Sequence, residues 1–222
     1  MDRAWSWPLP LLLAATATAA AAPADRGTGS ACAARDGEML KLPPRTFDQD
    51  DTAGWRSVAS RQECTKAAAD LIRRYRTANG YALKPADLGN PRRAWSWATT
   101  LAMHEGQLRA NLGQYRAAKA LFRLAQHESA SGWNLYIEAT IAFLDRDLGR
   151  LRALRSRYAS IPVPPDYAYL DEGGTLRKGR PTVWPDNIEV IDGLIACFHK
   201  PYVTAYGSDA CRQAGRRLHL RP

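Results

Sequence analysis

LAMHEGQLRANLGQYRAAKALFRLAQ, residues 101–126, reads as two amphipathic helices joined by a turn too short for anything but a fold-back. Trp97, Leu101, His104 and Leu108 mark one side of a helix predicted from Trp95 to Asn111, and Ala98, Ala102, Gly106 and Ala110 give small contacts beside it. Gly113 stops that helix. The next is predicted over Tyr115 to Gln126, with Tyr115, Ala118, Leu121, Phe122 and Ala125 on one face. Apolar residues at steps of three and four are the signature of a half-buried helix. Two such helices with so short a connection pack as an antiparallel hairpin.

The same period extends outward. Upstream, Cys64, Ala67, Ala68, Leu71, Ile72 and Tyr75 define a helix that Asn79-Gly80 ends, since both residues tolerate the left-handed conformation. Further upstream, Asp48 to Thr52 suits a helix start, followed by the short apolar face of Trp55, Val58 and Ala59. Pro85 and Pro91 mark a linker. Downstream, Trp133 to Leu144 opens another hairpin, Asp147 is placed to cap its second helix, and Leu148, Leu151, Leu154 and Tyr158 form that helix's apolar stripe. Residues 160–186 break the pattern with prolines, glycines and aromatics, a long irregular loop of the kind that is often functional or mobile. Asn187 caps a last apolar run, Ile188 to Phe198; Pro201 suits the first turn of a further helix, which Gly207 should shorten. Strand-like alternation is nearly absent. The fold class read from these signals is all-α, a short stack of three to four helix hairpins over residues 48–222.

The N-terminus is different in kind. Arg3, the uncharged Leu- and Ala-rich run Leu11 to Ala22, and the small-residue site Ala22-Pro23-Ala24 give a signal peptide over residues 1–24, hence export to the periplasm or beyond and no stable membrane span after cleavage. Residues 25–47 read as an extended lead-in. Cys32, Cys64, Cys197 and Cys211 make an even count in an oxidising compartment, which suggests disulfides. Four cysteines allow three pairings, and proximity in the chain favours Cys32–Cys64 and Cys197–Cys211. No C-x-x-C occurs, which argues against a structural zinc site. The formal charge is +9, carried mostly by Arg. For an exported chain the natural anionic partners are acidic proteins or envelope components rather than nucleic acid. The 45 % hydrophobic and 24 % charged composition is that of a globular domain, neither disordered nor membrane-embedded.

Within 101–126 the glycine in mid-first-helix (Gly106), the turn glycine (Gly113), the aromatic opening the second helix (Tyr115) and Ala118, Phe122 and Ala125 stand at the spacings of a tetratricopeptide repeat. The chain therefore resembles a secreted bacterial protein with degenerate repeats of that type. The other units depart from the pattern, which implies a compact, irregular stack. The resemblance also implies a groove lined by first helices. Its exposed binding residues would be Met103, Gln107 and Asn111 in one unit and Trp133, Tyr136 and Thr140 in the next, with Arg109 and Arg116 adding charge attraction. Such a surface suits a peptide or helix of a protein partner.

Motifs for catalysis are missing. His104-Glu105 opens like H-E-x-x-H, but Leu108 stands where the second imidazole is required. No nucleophile elbow, P-loop or dinucleotide fingerprint is present, and no cofactor is implied. The expectation is an exported, non-enzymatic binding or scaffold protein. Two alternatives remain: an inhibitor or immunity-type protein against a secreted enzyme, or an envelope-polymer hydrolase. The hydrolase would use Asp166, Asp171, Glu172 and Asp186 beside Tyr167, Tyr169 and Trp184, since paired carboxylates cleave sugar bonds and aromatics bind sugars.

Overall fold

The structure is a computed structural model, and it describes Cys32 and residues 35–87, 93–170, 175–179, 181 and 183–219. The predicted signal peptide lies outside the described residues. Eleven helices follow one another: α1 (Asp36–Met39), α2 (Pro44–Gln49), α3 (Trp55–Ala59), α4 (Thr65–Ala78), α5 (Trp97–Asn111), α6 (Tyr115–Ala125), α7 (Trp133–Leu144), α8 (Leu148–Ala159), α9 (Ile188–Ala196), α10 (Tyr202–Gly207) and α11 (Asp209–His219). Between α8 and α9 lies one antiparallel pair, β1 (Ala168–Leu170) and β2 (Leu176–Lys178), with Ala168 opposite Lys178. Among the described residues the fold is all-α apart from this hairpin. No helix among the described residues is long and apolar enough to cross a membrane.

Local chemistry sets the helix ends. The Ser96 N–H donates to Thr99 Oγ1 at 3.3 Å and opens α5. Asp147 Oδ1 accepts the Arg150 N–H at 2.9 Å and caps α8. Gly113 sits at φ +72°, where a side chain would be strained, so its role is the turn between α5 and α6. Three local expectations change. The lead-in before residue 48 is partly helical: Pro44 starts α2, and Met39 of α1 and Phe47 of α2 bury in the core. The helix expected from Asp48 begins at Trp55 instead, because Asp50 Oδ1 accepts the N–H groups of Thr52 and Ala53 and closes a turn first. Asn187 precedes α9 in the left-handed conformation without a side-chain cap.

Helix α5 organises the packing. Leu101 and Leu108 join Phe47, Trp55, Leu71, Ile72 and Tyr75 in a core on the N-terminal side. Ala102, Met103 and Ala110 join the C-terminal core, which runs through Phe122, Ile137, Phe143, Leu151, Ile191 and Tyr202. A helix walled on both sides must bury nearly its whole circumference. Close approach to α6 depends on Gly106: a Cβ there would lie 2.7 Å from Phe122 Cε1. The α9–α11 contact depends in the same way on Gly215, whose added Cβ would fall 2.4 Å from the Asp192 carbonyl carbon.

Buried charge ties α4 to α5. Glu105, 3 % exposed, accepts from Arg76 at 2.6 Å and from Arg109 at 3.3 Å; Arg109 also reaches Asp70 at 2.7 Å. On the far side Arg155 Nε donates to the buried Asp192 at 2.7 Å and holds α8 on α9. Two disulfides close the ends of the domain, Cys32–Cys64 and Cys197–Cys211, the pairing favoured by chain proximity. The second closes a short loop that contains all of α10.

Two substitutions test this packing. Gly106→Ala forces a methyl against the Phe122 ring and should lower stability by about 1–3 kcal/mol in denaturant titration, with partial recovery in the Gly106→Ala/Phe122→Leu double variant. Glu105→Gln strands Arg76 in the interior and should cost about 3–5 kcal/mol, most of it regained when Arg76→Met is added.

Candidate functional site

On α5 every residue is buried except five. Trp97, Thr100, His104, Gln107 and Asn111 are half-buried and fall three or four apart, so they form one strip along the helix. α2 and α3 flank this strip on one side through Asp48 and Trp55, and α10 flanks it on the other through Tyr206; the strip between these two walls is the candidate cleft.

At the first wall stands a buried carboxylate. Asp48 is fully buried and accepts from His104 Nδ1 at 2.6 Å and from Trp55 Nε1 at 3.0 Å, with Gln49 as a third partner. Burial alone would raise the Asp48 carboxyl; the hydrogen bond and charge of His104, with the bonds from Trp55 and Gln49, outweigh it and hold the group below its usual range. The imidazole tilts against the Trp55 ring at 5.4 Å. With Nδ1 committed to Asp48, Nε2 is the His104 atom left for a ligand. Arg56 lies over the Trp55 ring at 4.7 Å and donates Nε to the Asp48 carbonyl at 2.6 Å.

At the second wall stands Tyr206. Its hydroxyl accepts from Gln107 Nε2 at 2.6 Å and shares a hydrogen bond with the Tyr136 hydroxyl, in which either oxygen can donate. The ring stacks on Tyr202 at 5.2 Å, and Tyr202 meets Phe143 at 6.0 Å. Arg212 of α11 lies 5.8 Å from the Tyr206 ring and donates to the Tyr206 carbonyl.

The expected groove residues are redistributed by this arrangement. Gln107 and Asn111 are half-buried on the α5 strip. Met103, Tyr136 and Thr140 do not lie open: all three are buried, at 1 %, 3 % and 0 % exposure. The reason is α10, which packs on α5 and brings Tyr202 and Ala205 into the same core as Met103 and Tyr136. Thr140 donates to the Tyr136 carbonyl at 3.1 Å. Trp133 is half-buried against His127 and Tyr136, its indole donating to the Ala125 carbonyl at 3.0 Å. Arg109 serves the buried ion network and is no longer a surface charge, whereas Arg116 is exposed at the start of α6. The Asn111 Oδ1 and Tyr202 hydroxyl are buried without a protein partner.

The long loop is pinned rather than open. Trp184 Nε1 donates to the Ile161 carbonyl at 2.7 Å, and the Tyr158 hydroxyl donates to the Asp186 carbonyl at 2.5 Å. The Tyr167 hydroxyl donates to the Asp186 carboxylate at 2.5 Å, and its ring meets Trp184 at 4.6 Å. Asp166 is exposed, while Asp171 and Glu172 lie outside the described residues. No group of three or more metal-ligating side chains occurs among the described residues.

Asp48, Trp55, Arg56, Tyr206 and Arg212 were not singled out from the sequence as site residues. The one available signal was the polar strip itself: His104, Gln107 and Asn111 recur at helical spacing on a helix whose other positions are largely apolar or small.

Because the Asp48 carboxyl is held low, its share of stability is present above the ordinary value of 3.8 and is lost as pH falls through the lowered folded value. Asp48→Asn should therefore flatten the acid limb of stability against pH, measured by thermal unfolding at a series of pH values. It should also lower stability near neutrality, where the wild-type carboxylate is fully charged. No family model, curated protein or solved structure matches the chain.

Proposed function

We propose that the chain is an exported, non-catalytic binding protein that grips a segment of a protein or peptide partner in the cleft along α5. The observation that carries this reading is the strip itself. A helix buried on every other face keeps one row of polar side chains open, and residues from three other helices wall it. A strip of amide, imidazole and indole groups flanked by guanidinium suits an extended or helical peptide, which supplies backbone donors and acceptors. The two disulfides fit an oxidising compartment and hold both walls, since Cys32–Cys64 anchors the N-terminal segment and Cys197–Cys211 encloses α10.

The test is capture on the immobilised mature protein from periplasmic and secreted fractions of the source cells, with His104→Ala/Gln107→Glu as control. The control must first keep the wild-type circular dichroism spectrum. A partner recovered by the wild type and at least tenfold less by the control supports the reading, equivalent to about 1.4 kcal/mol of contact. Equal recovery by both proteins, or none by either, overturns it. If the recovered partner is an enzyme that loses turnover in a one-to-one complex, the protein acts as its inhibitor; unchanged turnover assigns a scaffold role.

A further inference from the structure

Across the cleft the polar groups are not balanced in charge. On one side Arg56 stacks on Trp55 and bonds only a backbone carbonyl. On the other Arg212 bonds only the carbonyl of Tyr206. Neither guanidinium forms an ion pair among the described residues. Arg155, likewise half-buried, is paired with Asp192, and the buried Arg109 with Asp70 and Glu105.

The two arginines stand at the two ends of one chain of contacts that runs through the α5 strip. Arg56 covers Trp55, Trp55 touches His104, and Gln107, one turn along α5, bonds Tyr206, over which Arg212 lies. Burial pushes the Tyr206 phenol up, and the charges of Arg212 and Arg56 work against it. Asp48, the carboxylate beside Arg56, is engaged by His104, Trp55 and Gln49. The Tyr206 hydroxyl accepts from Gln107 Nε2 at 2.6 Å. Two guanidinium groups without a carboxylate partner among the described residues therefore flank the α5 strip.

We infer that this cleft is an oxyanion-binding site, in which Arg56 and Arg212 hold a carboxylate or phosphate group of the ligand beside the Tyr206 hydroxyl. Guanidinium groups bind such planar or tetrahedral oxyanions through paired N–H donors, and the indole under Arg56 fixes its plane. The site rests on the binding reading above and names the chemistry of its ligand: an acidic side chain or chain-terminal carboxylate, or a phosphate ester. His104 lies between the walls and contributes a further nitrogen at Nε2.

The experiment follows the arginine Nε–H resonances of the ¹⁵N-labelled mature protein by NMR while inorganic phosphate, succinate or chloride is added at matched ionic strength. Saturable shifts of the Arg56, Arg212 and Trp55 indole N–H signals with phosphate or succinate, absent with chloride and absent at the exposed Arg152, support the inference. Which of the two anions saturates at lower concentration separates a phosphate from a carboxylate ligand. In the Arg56→Gln/Arg212→Gln variant the response of the Trp55 indole should be lost, whereas Arg56→Lys/Arg212→Lys should keep it at reduced affinity. Identical, unsaturated shifts with all three salts overturn the inference. So does a partner captured equally by the wild type and the double Gln variant but lost on His104→Ala/Gln107→Glu, an outcome that leaves the binding reading standing.

Discussion

The enclosure of α5 is the constraint on which the structure depends. Two hydrophobic cores are built against opposite sides of one helix, so its side chains must be small where a neighbour's backbone comes near and paired where they carry charge. Gly106 meets the first demand against Phe122, and Glu105 meets the second by accepting from Arg76 and Arg109. The helix is fixed in rotation as well as position. A turn of α5 by one residue would drive Glu105 into the aliphatic core and lift Leu101 or Met103 into water. That fixed rotation leaves Trp97, Thr100, His104, Gln107 and Asn111 in a line facing the cleft.

The walls of the cleft come from the least regular parts of the chain. Helices α2, α3 and α10 are each six residues or fewer, too short to persist alone. They are held by side-chain hydrogen bonds to α5 and by covalent closure: Asp48 with His104 on one side, Tyr206 with Gln107 on the other, and a disulfide near each. The residues that shape the cleft therefore also attach its walls. Polar groups in such a position serve specificity, because a misplaced wall would leave Asp48 or Tyr206 without partners in a buried setting.

The covering of the expected groove has a physical reason. An open surface lined by Met103, Tyr136 and Thr140 would expose a large apolar patch to water. The segment after α9 folds back as α10 and covers it with Tyr202 and Ala205. Only the edge of the former groove, from His104 to Asn111, is left to the solvent. The cost falls on two atoms, Asn111 Oδ1 and the Tyr202 hydroxyl, which are buried in this seam without a protein partner.

Much of the architecture was legible in the residues. The three- and four-residue period placed α4 through α9 to within a few residues, Gly113 and Asp147 marked a turn and a cap, and chain proximity favoured the two disulfides found. These features depend on neighbours along the chain, which the sequence contains directly. The short helices α1 and α2, the strand pair inside the long loop and the burial of Met103, Tyr136 and Thr140 were not legible. Nor was the meeting of Asp48 with His104, or of Gln107 with Tyr206, across 56 and 99 residues. Periodicity says which face of a helix is apolar, but not which distant segment covers it. That choice belongs to tertiary packing, where burying α5 on nearly every side left one polar strip and selected the side chains that stand around it.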